Sequence, residues 1–549
     1  MSDAIVNRRT FLKTTAAMGM GALGNVAWVR PVRAAQDNPE RVPTLEVLLP
    51  SFPQWIEASR IIAPEWRKLG LDVHLTTRSF QATIPHIQRR PPTYGHIMMM
   101  SWGGRDERID PNFWLEELYH SSRARQEKGR NWQMYMNPEA DRLIEAQKRE
   151  MDREKRRQLV WKCQEVIAKD YPIWFICHHN YVNAYNTDWE GVTPRMGAGG
   201  FFPYSPWTYI NLRSKSGKKT FKLTYRYLLG NFNPFQVFGA VEQAWHRFVY
   251  DTFTKLDVNM EVIPWAAESW EMKDYVTFDI TLRDGMKWHD GKPVTIEDAK
   301  FSFDLVQRVE PAMYKHVADV VDHTEIVGDN KLRIKLKEPF APFLINTLGY
   351  MHLIPKHIWE KVDDPLQFEN KEMIGSGFYK LGYWRKKEEL ALVANKEHFM
   401  APKGIDRFIV LDVPAAETAL GMLETGESDA YGWILTPDQI NALQGRKDIA
   451  IVESENHAFY EVRGLMTERP CSDVNFRKAL YHAIPKEEIV RVAFGGRATV
   501  AKNTPISPKL TFWHNPNLEP VEYSIDLARQ ILKDAGYRWD KKGRLLYPA

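Results

Sequence analysis

The order of apolar and polar positions in the first part of the chain predicts a strand, a helix and two further strands. TLEVLLP is a short apolar strand, and after it Ile61, Trp66 and Leu69 fall largely on one side of a helix. Gly70 is suited to cap that helix, and LDVHLTT then alternates apolar with polar residues. This spacing indicates a right-handed βαβ crossover, and HIMMMSW (96–102) is predicted to be a further strand.

Helical periodicity also marks later segments. Residues 137–175 are predicted to contain two helices, the first opening near Pro138 and the second near Asp152. Ser524 is suited to be the N-cap of a helix that has one apolar face. Between these segments the chain is rich in predicted strands and Asp-Gly turns, with Thr295 as a further N-cap. The pattern indicates an α/β protein.

Residues 1–34 have the pattern of a bacterial export signal. Arg8 and Arg9 form a twin arginine, a glycine-rich apolar stretch follows, and a sequence suited to cleavage ends at Ala34. The apolar run is too short for a good membrane span, so we expect a soluble mature protein in the periplasm. The letters GxGxxG at 19–24 lack the strand and helix that a dinucleotide site requires.

Charge and cysteine content exclude two classes of function. The segment 1–34 holds five basic residues and one acid, which accounts for the net charge of +4 of the whole chain. The remainder is close to neutral, so no nucleic-acid partner is expected. Cys163, Cys177 and Cys471 form no CxxC pair. We expect buried thiols, although the periplasm would permit one disulfide.

Several strings resemble those of a known family. WAAESWEMKDYVTFDITLRDGMKWHDGKPVTIEDAKFSF, GSGFYKLGYWRKKEELALVANKEHF and MLETGESDAYGW (422–433) are similar to segments of the family 5 extracellular solute-binding proteins, the dipeptide-, oligopeptide- and nickel-type binding components of ABC importers. The resemblance implies an α/β, two-lobed periplasmic-binding-protein-like (type II) fold with mixed sheets and a hinge. It also implies a monomer that is not an enzyme and that delivers a small-molecule ligand to an inner-membrane ABC permease.

The matching segments stand in an unusual order. In the family the LRDG…WHDG region comes early and helices like those of 137–175 come late, whereas here 43–212 carries the late part and 213–549 the early part. RSKSGKKT (213–220) would then link the family's usual termini. We expect a circularly permuted order in which the last helix and strand complete a βαβ layer with residues near the start. A chain cut short at Ala549 is the alternative.

The resemblance also divides the chain into lobes. Residues 35–170 together with 476–549 are expected to form the ligand-binding lobe. Residues 171–475 are expected to form the other lobe, with the hinge strands and a small extra subdomain around 290–365. The ligand would bind in a cleft between the lobes that closes by a hinge motion.

The stretch MMMSWGGRDERIDPNFWL is the first candidate for ligand contact. In peptide binders of the family, a Trp here is followed three residues later by an Asp that pairs with the peptide's amino group. Trp102 matches that Trp, but the third residue after it is Arg105, and Asp106 comes next. If Arg105 faces the ligand, a carboxylate or phosphate would suit it. If the extra loop residues precede the acid, Asp106 keeps the amine-binding role, and Arg105 could also simply pair with a neighbouring acid.

Further candidates follow from the same resemblance. Asn233 and Phe235 lie in NFNPFQVF, which matches the family's first cleft loop. Tyr431 and Trp433 follow the GESDA segment, which the resemblance places near the hinge and the cleft. All four are therefore candidate ligand contacts.

No cofactor or metal is expected. His289 lies between two Asp-Gly turns and is expected to be structural, and the adjacent His178 and His179 would point to opposite sides of a strand. The sequence has no HExxH, GxSxG or P-loop motif. The leading hypothesis is a binding protein for a peptide-like or opine-like ligand. The alternatives are the same fold binding an oligosaccharide or a nickel chelate, and an exported enzyme with an unrecognised cofactor site.

Overall fold

The computed structural model describes residues 40–549, apart from positions 227, 229, 238 and 239. The predicted export signal at 1–34, with its GxGxxG string, lies outside the described residues. Within the described part of the chain, no helix is both long and apolar enough to cross a membrane.

The first sheet combines strands that are far apart in the chain. Leu45–Pro50 is hydrogen-bonded in parallel to both Val73–Arg78 and Ile97–Ser101, and the helix Pro53–Lys68 follows the first of these strands. The predicted βαβ crossover is confirmed. Apolar clusters on both faces bury Leu45–Pro50 and Ile97–Ser101, whereas Val73–Arg78 is a partly exposed edge strand. In spatial order the sheet runs Val73–Arg78, Leu45–Pro50, Ile97–Ser101, Tyr460–Gly464, Trp174–His179 and Ala498–Val500.

The second sheet is mixed. Thr220–Tyr225 pairs in parallel with Arg407–Asp412, whereas Tyr181–Asn186 pairs antiparallel with Ile449–Ser454. In spatial order the sheet runs Tyr379–Arg385, Glu389–Ala394, Arg407–Asp412, Thr220–Tyr225, Ala430–Tyr431, Tyr181–Asn186 and Ile449–Ser454.

A third, antiparallel sheet lies beside the second. The helix Ile296–Val309 packs on it and begins at the predicted N-cap, where the Asp298 carboxylate accepts a hydrogen bond from the Thr295 N–H at 2.9 Å. The sheet begins ahead of the extra subdomain expected around 290–365. In spatial order its strands are Ala267–Asp274, Thr277–Leu282, Lys331–Leu336 and Val321–Gly328.

Within the described residues, the chain passes between the first and second sheets at two crossings. Trp174–His179 lies in the first sheet, and Tyr181–Asn186, which follows after Asn180, lies in the second. The chain returns between Ile449–Ser454 and Tyr460–Gly464. We call the part built on the first sheet the first lobe, and the part built on the second and third sheets the second lobe.

The crossings differ from the lobe boundaries expected at 171 and 475. Trp174–His179 and Tyr460–Gly464 pair with each other in the interior of the first sheet, so both strands belong to the first lobe. The expected boundaries lie near the ends of neighbouring helices, where the local sequence pattern changes. Membership of a sheet is decided by long-range pairing, which that pattern does not encode.

Helices and short strand pairs complete both lobes. The two helices predicted within 137–175 and the helix after Ser524 are confirmed. The three predicted helices of the first lobe are Pro138–Arg149, Arg153–Ala168 and Ile525–Asp534. Its other helices are Phe80–Gln88, Pro111–Tyr119, Ser121–Arg125, Val474–His482 and Lys486–Ala493. Its C-terminal pair of strands is Arg538–Trp539 and Leu545–Leu546. The other helices of the second lobe are Trp207–Asn211, Ala240–Val249, Lys315–Val320, Lys356–Trp359, Ala416–Glu424 and Pro437–Leu443. Its short strands are Trp189–Glu190, Arg213–Ser214, Thr254–Leu256 and Val262–Pro264.

The cysteines are buried and unpaired, as predicted. Burial raises the pKa of Cys163 and of Cys471 to about 12. These thiols therefore stay protonated and act as packing residues.

The two ends of the described chain meet. The Tyr547 N–H donates to the Glu40 carbonyl at 2.8 Å, and the Val42 N–H donates to the Leu545 carbonyl at 3.0 Å. Residues 40–42 therefore pair with the last strand, Leu545–Leu546, in the same part of the fold.

The last strand does not form the βαβ layer that the sequence led us to expect. Leu545–Leu546 pairs antiparallel with Arg538–Trp539 and stays outside the first sheet. This hairpin lies against the end of the helix Pro53–Lys68, because the Leu545 N–H donates to the Gly70 carbonyl at 2.9 Å. The Gly70 carbonyl therefore accepts one edge hydrogen bond of the hairpin, and residues 40–42 pair with the same strand.

We expect Gly70→Ala to destabilise this junction. Gly70 has a φ of +84°, and an added Cβ would lie 2.3 Å from the backbone oxygen of Gly543. The left-handed backbone and the clash together should lower the free energy of unfolding by about 3 kcal/mol. Urea denaturation measures this loss.

Gly217→Ala is the matched control. Gly217 has a φ of +86°, but an added Cβ there would meet no atom within 4 Å. Only the backbone cost of about 1–2 kcal/mol should appear. Equal losses in the two variants would contradict the close contact between the hairpin and the helix end.

Candidate functional site

The loop 103–108, called the cleft loop below, forms the first-lobe wall of the cleft between the lobes. Both crossings anchor it: the Gly104 N–H donates to the Tyr181 hydroxyl at 3.0 Å, and His457 Nε2 lies 3.0 Å from the Arg105 carbonyl oxygen. The loop is therefore positioned by the segments through which the chain passes from one lobe to the other.

A glycine-rich segment of the second lobe, RMGAGG (195–200), faces the cleft loop. A Cβ added to Gly104 would lie 2.3 Å from the Gly197 Cα, so the two segments touch through glycine backbones. At the start of the segment, Arg195 is buried, and its Nη2 donates to the Tyr204 carbonyl at 3.2 Å.

Asp106 links the two walls. Its Oδ1 accepts a hydrogen bond from Arg195 Nη2, and its Oδ2 accepts one from Arg247 Nη1 at 3.2 Å. Arg247 lies on the helix Ala240–Val249 of the second lobe. The side chains of Asp106, Arg195 and Arg247 are 16%, 1% and 8% exposed. Water screens these ion pairs little, and losing one partner would leave a buried charge uncompensated.

Arg105 pairs with an acid of its own loop. Its Nη1 lies 3.3 Å from Glu107 Oε1, and its guanidinium lies 5.8 Å from the centroid of the Tyr204 ring. Burial alone would raise the pKa of Glu107, but the charges of Arg105 and Arg108 contribute to lowering it to about 2. Of the two candidates in the loop, Asp106 is the one that forms ion pairs with the opposite lobe, whereas Arg105 reaches that lobe through the Tyr204 ring.

Trp102 packs inside the first lobe, directly before the cleft loop. Its ring is stacked on Trp132, with centroids 5.3 Å apart, and its Nε1 donates to Glu461 Oε1 at 2.9 Å. Glu461 also pairs with Arg463, and both side chains are fully buried. Trp102 is only 8% exposed, so most of its surface is committed to packing.

Tyr431 and Trp433 pack in the same apolar cluster, and Trp433 also packs against the neighbouring core. Tyr431 is buried in an apolar cluster with Leu420 and Leu423, and burial raises its pKa to about 12. Trp433 contacts Phe202, with ring centroids 5.5 Å apart. Since Phe202 stacks on Tyr204, Trp433 lies behind the second-lobe wall of the cleft.

Asn233 and Phe235 are engaged in packing within the second lobe. Asn233 Nδ2 donates to the carbonyls of Pro365 and Phe368, each at 2.8 Å, and its Oδ1 accepts from the Phe235 N–H. The ring of Phe235 packs edge-on against Trp359. The structure does not bring these two residues to the pocket beside Asp106.

That pocket is narrow: the space between its walls is about 330 Å³ with open solvent included, but only about 10 Å³ is free for a water-sized molecule, which is room for about one water. Asp106 belongs to the first lobe, and the other lining residues belong to the second. The lining residues are Asp106, Pro203, Tyr204, Pro206, Arg247, Phe248, Thr252, Lys255, Leu256, Gly349 and Phe378.

The sequence did not single out Arg195, Arg247 or Lys255. Lys255 lies in the short strand Thr254–Leu256, and its Nζ is 4.9 Å from the centroid of the Trp265 ring. A glycine-rich segment that opens with an arginine was a usable signal for Arg195. No local pattern distinguishes the other two residues from ordinary surface cations.

The histidines that were set aside have structural contacts. His289 Nε2 lies 3.0 Å from the Gly377 carbonyl oxygen, which confirms its role in holding a turn. Burial lowers the pKa of His178 to about 4 and that of His179 to about 3. Within the described part of the chain, no group of three or more His, Cys, Asp or Glu side chains is arranged to hold a metal ion.

In sequence, the chain resembles known proteins over about half its length. The model of the family "Bacterial extracellular solute-binding proteins, family 5 Middle" matches residues 261–548. The chain is 27% identical over 315 residues to the glutathione-binding protein GsiB of Salmonella typhi, which is 56% of this chain and 59% of that protein. It is also 27% identical over 324 residues to a putative ABC transporter peptide-binding protein of Brucella ovis, covering 57% and 58% of the two chains.

In structure, the chain is similar to NikZ from Campylobacter jejuni, which was solved in complex with Ni(L-His). The TM-score is 0.50 at 23% identity, over 60% of this chain and 66% of the other. This likeness shows the fold, an α/β architecture with mixed sheets. The chain thus spans about 59% of the length of the curated relatives that it matches first.

We expect Asp106→Asn to weaken the contact between the lobes. The substitution removes the charge that Arg195 and Arg247 share, and both guanidiniums would remain buried. The free energy of unfolding should fall by about 3 kcal/mol in urea denaturation.

Asp319→Asn is the matched control, because the Asp319 side chain is 58% exposed and pairs with Lys315 on the surface. Its loss should be below about 1 kcal/mol. If both variants unfold at the same urea concentration as the unmodified protein, Asp106 does not link the lobes in solution.

Proposed function

Because the chain belongs to family 5 of the bacterial extracellular solute-binding proteins, we propose that it is the solute-binding component of an ABC importer. It captures a small organic ligand, peptide-like or opine-like, in the cleft between the lobes and presents it to an inner-membrane permease. The family consists of transport proteins that bind a substrate, and the proposal assigns no bond-breaking step to this chain.

The Asp106 contact is the observation that carries this proposal. Asp106 of the first lobe reaches Arg195 and Arg247 of the second, while the lobes are joined through the crossings at Asn180 and 455–459. A rotation at the crossings would separate Asp106 from both guanidiniums and open the pocket to a ligand. A cleft that closes in this way is suited to capture and release.

The ligand would contact the residues around that opening. We assign direct contact to Arg105 of the cleft loop, and we assign Asp106 to the pocket wall, where it holds the guanidiniums of Arg195 and Arg247. Trp433 and Trp102 support the two walls. Asn233, Phe235 and Tyr431 are assigned to packing, because hydrogen bonds or apolar neighbours occupy their side chains.

In this proposal the protein acts as a monomer in the periplasm. It reaches the periplasm through the twin-arginine signal predicted at 1–34. Its family is extracellular. One relative is named a glutathione-binding protein and another a putative ABC transporter peptide-binding protein, and both names support a peptide-like ligand.

We further propose that the chain has a circularly permuted order. Three observations support this: the family model matches from residue 261 onward, Tyr547 is hydrogen-bonded to Glu40, and the residues 215–219 are an exposed turn. Exposed turns and adjacent ends tolerate rearrangement of the chain.

A rearranged gene tests this order. Residue 549 is joined to residue 40 by a short glycine linker, and the chain is opened at 216–217. We expect the circular dichroism spectrum to be unchanged and the free energy of unfolding to stay within about 1 kcal/mol, because no buried contact is cut. The same closure opened inside the buried strand Thr220–Tyr225 should not fold. If opening at 216–217 also prevents folding, the proposed permuted order is wrong.

Titration of intrinsic tryptophan fluorescence tests the function. The purified protein is titrated in parallel with pools of short peptides, opines, oligosaccharides and chelated nickel, and each hit is confirmed by calorimetry. We expect saturable binding from the peptide or opine pool.

The other outcomes identify the alternatives. Binding of the oligosaccharide or nickel pool alone would replace the proposed ligand class while keeping the fold's role. If no pool binds and the purified protein carries a chromophoric cofactor, the exported-enzyme alternative is correct and the proposal is wrong.

A further inference from the structure

The pocket beside Asp106 holds more positive than negative charge. Arg247 and Lys255 line it, and Arg195 lies directly behind Asp106. Arg195 and Arg247 share the Asp106 carboxylate. Lys255 takes part in none of the ion pairs between described residues, and its Nζ lies 4.9 Å from the centroid of the Trp265 ring.

Asp251 does not balance this charge. Burial lowers the pKa of Lys255 to about 8, and the nearby Asp251 offsets that effect only in part. The Asp251 carboxylate already accepts hydrogen bonds from Trp265 Nε1 at 2.6 Å and from Ser376 Oγ at 2.9 Å, and His398 Nε2 lies 3.3 Å from it. It is not among the residues that line the pocket.

The two arginines also keep hydrogen-bond donors that are not used. Arg195 Nε and Nη1 and Arg247 Nε are buried and have no partner among the described residues. The two residues are only 2% and 7% exposed. Buried charged donors without an acceptor are costly, so a ligand that supplies acceptor oxygens would gain free energy there.

We propose that this pocket binds the acidic group of an anionic ligand, a carboxylate or a phosphate, with Arg247 and Lys255 as its direct partners. This inference rests on the proposed solute-binding function and names the ligand class. An anion between Arg247 and Lys255 relieves the repulsion between these two cations. Arg195 stays on Asp106 and holds that carboxylate beside the bound group.

The same arrangement disfavours an amine as the group that Asp106 recognises. Both Asp106 oxygens are already paired with guanidiniums. An ammonium group would displace one of them and would meet the positive charges of Arg247 and Lys255 at short range. We therefore do not assign to Asp106 the amine-binding role that the sequence left open.

Matched pairs of acids and amides test the proposal. The full-length mature protein is titrated calorimetrically with succinate and succinamide, with inorganic phosphate, and with a dipeptide pool as free acids and as C-terminal amides. We expect the acids or phosphate to bind at least about tenfold more tightly than the amides. The phosphate and carboxylate probes identify which acidic group the pocket prefers.

Substitutions at Lys255 connect binding to the pocket. Lys255→Gln should weaken the binding of the acidic probe at least about tenfold, and Lys255→Arg should restore it. Lys273→Gln is the matched control, because Lys273 is exposed and pairs with Glu271 on the third sheet. Its affinity should equal that of the unmodified protein.

The dependence on pH gives an independent readout. Because the pKa of Lys255 is about 8, the acidic probe should bind about tenfold less tightly at pH 9 than at pH 7, and the Lys255→Arg variant should show no such change. The other charged groups that act on Lys255 are Asp251, Asp106, Arg195 and Arg247. Burial keeps the pKa of His352 well below its usual value.

The outcomes separate this inference from the proposed function. If amides or neutral oligosaccharides bind as tightly as the acids, or if Lys255→Gln leaves acid binding unchanged, the anion assignment is wrong while solute binding stands. If none of the probes or pools binds, both the assignment and the proposed function are wrong.

Discussion

One carboxylate, Asp106, pairs with two guanidiniums across the cleft, and the arrangement of the site depends on this contact. Arg195 and Arg247 come from the second lobe and are almost fully buried, and among the described side chains Asp106 is the acid that pairs with each of them. The first lobe supplies this negative charge through the cleft loop. Contacts between glycine backbones and hydrogen bonds to the crossings hold that loop in place. Separation of the lobes would leave two cations in need of an anion.

This requirement connects the fold to the proposed function. When the cleft opens, the arginines and Lys255 would line an exposed, positively charged surface. A ligand with an acidic group would satisfy Lys255 and the unused donors, and closure would return Asp106 to its partners. The binding free energy of the ligand would then favour the closed form, which is the shape that a permease can distinguish from the open one.

Local patterns predicted the elements well, because burial and capping leave a direct trace in the sequence. The βαβ crossover, the helix N-caps at Thr295 and Ser524 and the buried cysteines are examples. The crossings between lobes and the place of the last strand depend on long-range pairing and could not be predicted in this way. The cleft loop was found through Trp102 and Asp106, but Arg247 and Lys255 enter the site only through the packing of distant elements.

The distance between the lobes tests the central claim most directly. Spin labels at Lys68→Cys in the first lobe and Lys331→Cys in the second can be measured by pulsed electron paramagnetic resonance, since the native cysteines are buried. The account predicts one narrow distance distribution for the protein with bound acidic ligand and a longer, broader one for the Asp106→Asn variant without ligand. Identical distributions in both would contradict a cleft that closes on Asp106.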